Sequence, residues 1–441
     1  MKHEINAQSL AKLKKEYLAN PKNTVVRHAL SKTKISDLVY VDNAQVDTVQ
    51  KFNIEVKSLP VCNQRQSGRC WIFAGLNVIR EKIAKEINCP NFELSQNYIS
   101  LYDKIEKCNW AMEVLISMKD RDIDDRELKF ILSCPVGDGG QWDMFVSLVD
   151  KYGLMPKDAH FENTQSNSTM FSNRLINTTL RQFAAAVHNK SDKEVEALRD
   201  EYLVKFYNLL SNCFGVPAEK FEFSYIDKDG KLHEEGEYTP VEFAEKFHIK
   251  EYLSNMQSIV NAPTSDKEYL KTYTIKYLGN VVGGKKVIHL NLEMSRVEEL
   301  IINQLKDGKV VWFGSDVGYY GDRTSGTWDI NMFDYKTPFD MDYEMDKAES
   351  MDYLVSAMNH AMVITGVQLD KAGKPVRWKI ENSWGADVGD KGYFVMSERF
   401  FEKYVYQAVV EKDYLNEKEL AALKQEPVEL KPWDPLGTLA D

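Results

Sequence analysis

A cysteine set between a turn and a helical pattern, Gln64-Arg65-Gln66-Ser67-Gly68-Arg69-Cys70-Trp71, constrains this chain more than any other stretch. From Trp71 to Lys85 the apolar residues Ile72, Leu76, Ile79 and Ile83 recur at three- and four-residue steps. That spacing predicts an amphipathic helix with Cys70 in its first turn. Unpaired N–H groups and the positive end of the helix dipole favour a thiolate there, the form of cysteine that attacks a carbonyl carbon. Gln64, six residues earlier, offers a side-chain N–H donor that the Ser-Gly turn folds back toward the same space, where it would hold an oxyanion. A small cysteine packed in a core fits the same local pattern, so the decision rests on two further segments.

The first is Met358-Asn359-His360-Ala361-Met362-Val363-Ile364-Thr365-Gly366-Val367, a histidine opening a β-branched run that reads as a buried strand. A ring at a strand mouth faces a cleft while the strand behind it is fixed by the core, which suits a proton carrier. The second is Trp378-Lys379-Ile380-Glu381-Asn382-Ser383-Trp384-Gly385, followed by the strand-like Tyr393-Phe394-Val395-Met396. Asn382 would accept the imidazole N–H and fix its tautomer, with Trp384 shielding that bond from water.

Together the three segments resemble the papain-like cysteine peptidases, in which Cys, His and Asn form a variant of the catalytic triad. The order Gln, Cys, His, Asn agrees, but Cys70 and His360 lie 290 residues apart, against roughly 130 to 150 in the small members. Arg69 also stands where those members carry Ser or Ala. The Q-x-S-G-R-C-W string, D-G-G-Q-W at Asp138 to Trp142, L-K-D-G-K-V-V-W-F-G at Leu305 to Gly314 and the closing P-W-D-P-L-G-T-L-A-D are similar to the bleomycin hydrolase and aminopeptidase C family. The resemblance spans nearly the whole chain.

Composition agrees with an intracellular enzyme. The 441 residues are 43% hydrophobic, enough for a large core. The charged start lacks the apolar run of a signal peptide, and no stretch reaches membrane-spanning length. Reserving Cys70 leaves five of six cysteines, an odd number, which points to a reducing cytoplasm without a disulfide framework. With 56 basic against 67 acidic residues, net −11, a dominant nucleic-acid surface is not expected.

Along the chain, residues 1–50 read as an N-terminal arm with a helix near Ser9 to Leu18, and 51–155 as a left half carrying the nucleophile helix. Residues 156–290 read as a mainly helical insertion with a polar hairpin near Tyr225 to Leu232. Residues 291–415 read as a β-rich right half bearing His360 and Asn382, and 416–441 as a C-terminal tail reaching the cleft, with a proline-rich, extended run from Glu426 to Pro435. The fold class is therefore α+β, papain-like, with a large insertion.

The resemblance implies a cytoplasmic thiol aminopeptidase. Cys70 attacks; His360 keeps it a thiolate and then protonates the leaving amine; Asn382 orients the imidazole; and Gln64 with the Cys70 N–H holds the oxyanion. Gly139 and Gly140 would line the cleft and pair with an extended peptide substrate, since glycine lets another chain approach closely. Asn359 is a further substrate-binding candidate. The tail would lie in the non-primed side of the cleft, its carboxylate at Asp441 meeting the substrate's free amine. The family implies a homohexamer and neither metal nor organic cofactor. An endopeptidase of the same family, a Cys/His acyl transferase and a silent binding scaffold are the alternatives.

Overall fold

The computed structural model describes residues 3–42, 44 and 48–440. Its hub is the helix Cys70–Ile87, which ends where Asn88 takes the left-handed conformation at φ 54°, a role asparagine fills with less strain than most residues. Every residue from Cys70 to Arg80 is buried, so the apolar stripe read from the sequence is only part of an all-round buried helix.

That helix packs on a mixed sheet of twelve strands. The strand His360–Leu369 pairs antiparallel with Val311–Ser315 on one side and Pro375–Glu381 on the other. Side chains alternate across a strand. Accordingly Ala361 and Val363 enter the core shared with the Cys70 helix, while Met362 and Ile364 enter a second core under the helix Met294–Lys306. Beyond Pro375–Glu381 come Tyr393–Ser397, Thr327–Trp328 and Gly321–Asp322. The other flank runs through Val405–Glu411, Met256–Val260, His289–Asn291 and Thr272–Ile275 to Val428–Leu430, a strand from the tail.

The region expected to be mainly helical is so only in part. Helices Met170–Val187 and Asp192–Phe214 place Ile176, Leu180, Phe183, Tyr202, Phe206 and Leu210 in a third core against the helix Gln96–Ser117. The polar hairpin forms between Phe221–Ile226 and Leu232–Tyr238. From residue 256 onward, however, the chain supplies three strands to the main sheet. Ile259 faces one core and Val260 the other, so burial on both faces removes the alternation that marks a strand in sequence.

Candidate active site

Cys70 is the first residue of its helix and is almost fully buried. The turn before it is pinned by Arg69, whose guanidinium makes paired bonds to Glu162 at 3.0 and 2.9 Å and reaches Ser67 Oγ at 2.9 Å. The arginine that set this chain apart from the small papain-like enzymes thus fastens the Cys70 turn to the start of the insertion. Across the cleft, the Ala361 N–H donates to Cys70 Sγ at 3.4 Å, which brings the thiol to the mouth of the strand that begins with His360.

His360 Nε2 lies 2.9 Å from Asn382 Oδ1. The Ser383 backbone N–H donates to the same atom at 2.8 Å, so that atom must be the amide oxygen. His360 Nε2 is therefore the protonated nitrogen, which leaves the Nδ1 lone pair as the ring's acceptor. Trp384 stacks on the imidazole with centroids 4.9 Å apart and planes 26° from parallel, and Asn382 is wholly buried, in keeping with the shielding expected of Trp384.

Burial dominates the electrostatics. It pushes the Cys70 thiol up to about 11, against the pull of the Ala361 N–H, and the His360 imidazole down to about 4, with Asn382 opposing and Arg323 reinforcing. Neither group ionises readily alone. A proton passed from sulfur to nitrogen creates both charges together, and each then offsets the other's lost hydration.

Gln64 is buried beside the turn. Its Nε2 donates to Ser67 O at 2.6 Å and its Oε1 accepts from Ser383 Oγ at 2.5 Å, which leaves one amide hydrogen uncommitted. Gly139 is approached closely by the chain's own tail: a Cβ there would sit 2.1 Å from Leu439 O. Gly140 faces the Trp71 indole, 2.6 Å from an added Cβ, so its open side is filled from within. The Asn359 amide is committed to a neighbouring loop, with Oδ1 accepting from Val317 N and Nδ2 donating to Asp316. Asp441 lies outside the described residues.

The tail is firmly seated rather than frayed. Val428–Leu430 pairs parallel with Thr272–Ile275. Trp433 lies under Arg126 at 4.0 Å and edge-on to Phe130, and Asp434 bonds the buried Lys267 at 3.0 Å. Pro435–Ala440 then closes into a 3-10 turn, with Gln141 donating to Leu436 O and Thr438 to Met358 O. The last described residues so lie between Gly139 on one wall and Met358, two residues before His360, on the other.

Sequence reasoning missed the charges that hold this cradle. Lys104 and Lys107 are buried on the helix Gln96–Ser117 and donate to the carbonyls of Gly137 and Gly139 at 2.8 and 2.5 Å. Lys104 also pairs with Asp138 at 2.6 Å, and Asp138 accepts from the Gly68 N–H at 2.9 Å. Burial opposes ionisation of Asp138, but Lys104 and these donors outweigh it and hold the carboxyl far below its usual range. Asp138 therefore couples the Cys70 turn to the tail cradle. Of Lys104, Lys107, Gly137, Asp138 and Gly139, only Asp138 and Gly139 fall in a motif the sequence singled out, the D-G-G-Q-W string. Among the described residues, the one carboxylate trio with metal-ligand spacing is Glu298, Glu398 and Glu402, built on other elements than those carrying Cys70, His360 and Asn382.

A profile of the peptidase C1-like family matches residues 4–437. Aminopeptidase C of Streptococcus thermophilus is 43% identical, with 97% of each chain covered, and bleomycin hydrolase of Gallus gallus is 35% identical over 99% of each. The crystal structure of pepw from Lactobacillus rhamnosis superposes with a TM-score of 0.96 at 42% identity, covering 99% of both chains. The fold is the papain-like α+β fold, and with a profile and relatives that run almost end to end, the chain belongs to the peptidase C1-like family.

Proposed function

We propose that this chain is a thiol aminopeptidase acting on peptides. His360 Nδ1 takes the Cys70 proton as sulfur attacks the carbonyl carbon, and the free N–H of Gln64 with the Cys70 N–H receives the oxyanion. The same imidazole returns the proton to the leaving amine. Water then hydrolyses the thioester, again through His360, while Asn382 keeps the ring in one tautomer.

The observation that carries the exopeptidase reading is the tail lying against Gly139 and Met358. On this reading it closes the acyl side of the cleft, so that only a short N-terminal portion of substrate precedes the bond that is cut. Asp441, one residue further on, is the anion the sequence offers to the substrate's ammonium group. The relatives named aminopeptidase C support the same activity.

The homohexamer and cytoplasmic setting belong to this proposal too. The arm helices Ala7–Ala19 and Pro21–Leu30 bury none of their residues within the chain and expose Leu10, Leu13, Leu18 and Val25, which suits contact with other copies. No described helix is long and apolar enough to cross a membrane.

Replacing Cys70 by Ala tests the mechanism. Turnover of aminoacyl substrates is expected to vanish while the fold persists, and Asn382→Ala is expected to lose less, since His360 still visits its working orientation. Substantial hydrolysis by purified C70A protein, or a larger loss in N382A than in C70A, contradicts these roles.

A further inference from the structure

Arg323 is exposed at the tip of the hairpin joining Gly321–Asp322 to Thr327–Trp328. Its guanidinium carbon lies over the Trp384 indole, 4.8 Å from the ring centre, and that indole stacks on His360 at 4.9 Å. Together the two distances cap the separation of guanidinium and imidazole at about 10 Å. The two buried arginines of the Cys70 turn and helix are spent in ion pairs, Arg69 with Glu162 and Arg80 with Glu381. Arg323 has no carboxylate within ion-pair distance among the described residues. Its neighbour Asp322 is occupied in capping the turn, accepting from the N–H groups of Thr324 and Ser325. An arginine without a counter-ion, held over Trp384 beside the proton carrier, is available to an anion from outside.

The geometry of the reaction says which part of the substrate that is. Resting on the aminopeptidase reading, the tail fills the acyl side, between Gly139 and Met358. The leaving amine takes its proton from His360 and departs on the histidine side, where Trp384 and Arg323 stand. We propose that Arg323 is a specificity determinant for the leaving portion of the substrate, binding a carboxylate carried by the departing residue or the one after it. Each residue adds about 3.5 Å of extended chain. The C-terminal carboxylate of a dipeptide or tripeptide therefore falls within reach, as does an acidic side chain on the departing residue. The guanidinium fork receives a carboxylate through two parallel hydrogen bonds, and the indole beneath holds its plane in advance of binding.

The test compares kcat/KM for a dipeptide free acid with that for its C-terminal amide, in wild type, Arg323→Gln and Arg323→Lys. A second substrate pair, an amidated dipeptide ending in Asp or in Asn, separates side-chain from terminal carboxylates. The acid-to-amide ratio is expected to fall about tenfold in R323Q and by less in R323K, which keeps the charge but loses the fork. A fall confined to the Asp/Asn ratio assigns the site to acidic side chains instead. Equal ratios in wild type and R323Q overturn the proposal. Calorimetric affinities of the same acid and amide for C70A and C70A/R323Q proteins read the same ratio without turnover. If wild type cleaves no free dipeptide, the aminopeptidase reading fails, and this binding ratio still decides for or against Arg323.

Discussion

Gly139→Ala perturbs the tail with a single methyl group. A Cβ at this position would lie 2.1 Å from Leu439 O and 3.0 Å from both Cα and the carbonyl carbon of Ala440. Carbon–oxygen contacts settle near 3.3 Å or beyond, so the tail backbone must retreat by about 1 Å. The backbone at 139 is not in the left-handed region, and alanine itself is accepted there; the clash alone drives the change. The upstream anchors at Trp433 and Asp434 are untouched, which confines the shift to the last few residues. Overpacking of this kind costs roughly 1–3 kcal/mol of stability, while an error of about 1 Å in a positioning group costs up to about a hundredfold in rate. The assay is the ratio of kcat/KM for an aminoacyl substrate with a free amine to that for its N-acetylated form. Any loss of folded enzyme cancels from this ratio. It is expected to drop between about ten- and a hundredfold. An unchanged ratio in G139A would refute the reasoning that the tail sets the register of the substrate.

Two further predictions concern stability. Arg80 and Glu381 form a buried ion pair at 2.6 Å that ties the Cys70 helix to the residue before Asn382. Burial pushes the Glu381 carboxyl up to about 7 even beside Arg80, so on loss of Arg80 it can protonate, whereas a guanidinium stranded by E381Q cannot shed its charge. E381Q should therefore cost more than R80M, about 3–5 kcal/mol in urea unfolding, and the reverse order would contradict the account. His289 and His360 are both driven down to about 4 by burial. Between pH 4 and 6.5 the unfolded chain binds protons that the native one refuses, so stability falls as pH drops through that window, by up to about 3 kcal/mol per histidine. His289→Gln should flatten the slope of unfolding free energy against pH; an unaltered slope would show that burial of this ring is not its source.

What the sequence made legible was local and periodic. The Cys70 helix, the His360 and Asn382 strands and the Asp370 to Lys374 turn all announce themselves within about ten residues, and they appear as Cys70–Ile87, His360–Leu369 and Pro375–Glu381. What it hid depends on contacts distant in sequence. Thr272–Ile275 is a strand buried throughout, inside a stretch expected to be mainly helical. Lys104 and Lys107 are buried because Asp138 and the carbonyls of Gly137 and Gly139, on a separate loop, meet them. The prolines from 427 to 435 argue for an extended run, of which Val428–Leu430 is a strand; the turn Pro435–Ala440 beyond it, where Gln141 and Met358 meet its polar groups, has no local signal. Asn359 was readable as a neighbour of His360, though not as a brace for the loop at Asp316 and Val317.

The central claim is that Cys70 works in a cleft whose acyl side is closed by the chain's own tail. Mass spectrometry of products from one peptide, supplied with a free and with an acetylated N-terminus, tests it most directly. The account predicts stepwise loss of N-terminal residues from the free peptide, little cleavage of the acetylated one, and neither reaction in C70A protein. Internal fragments released at similar rates from both peptides would contradict it.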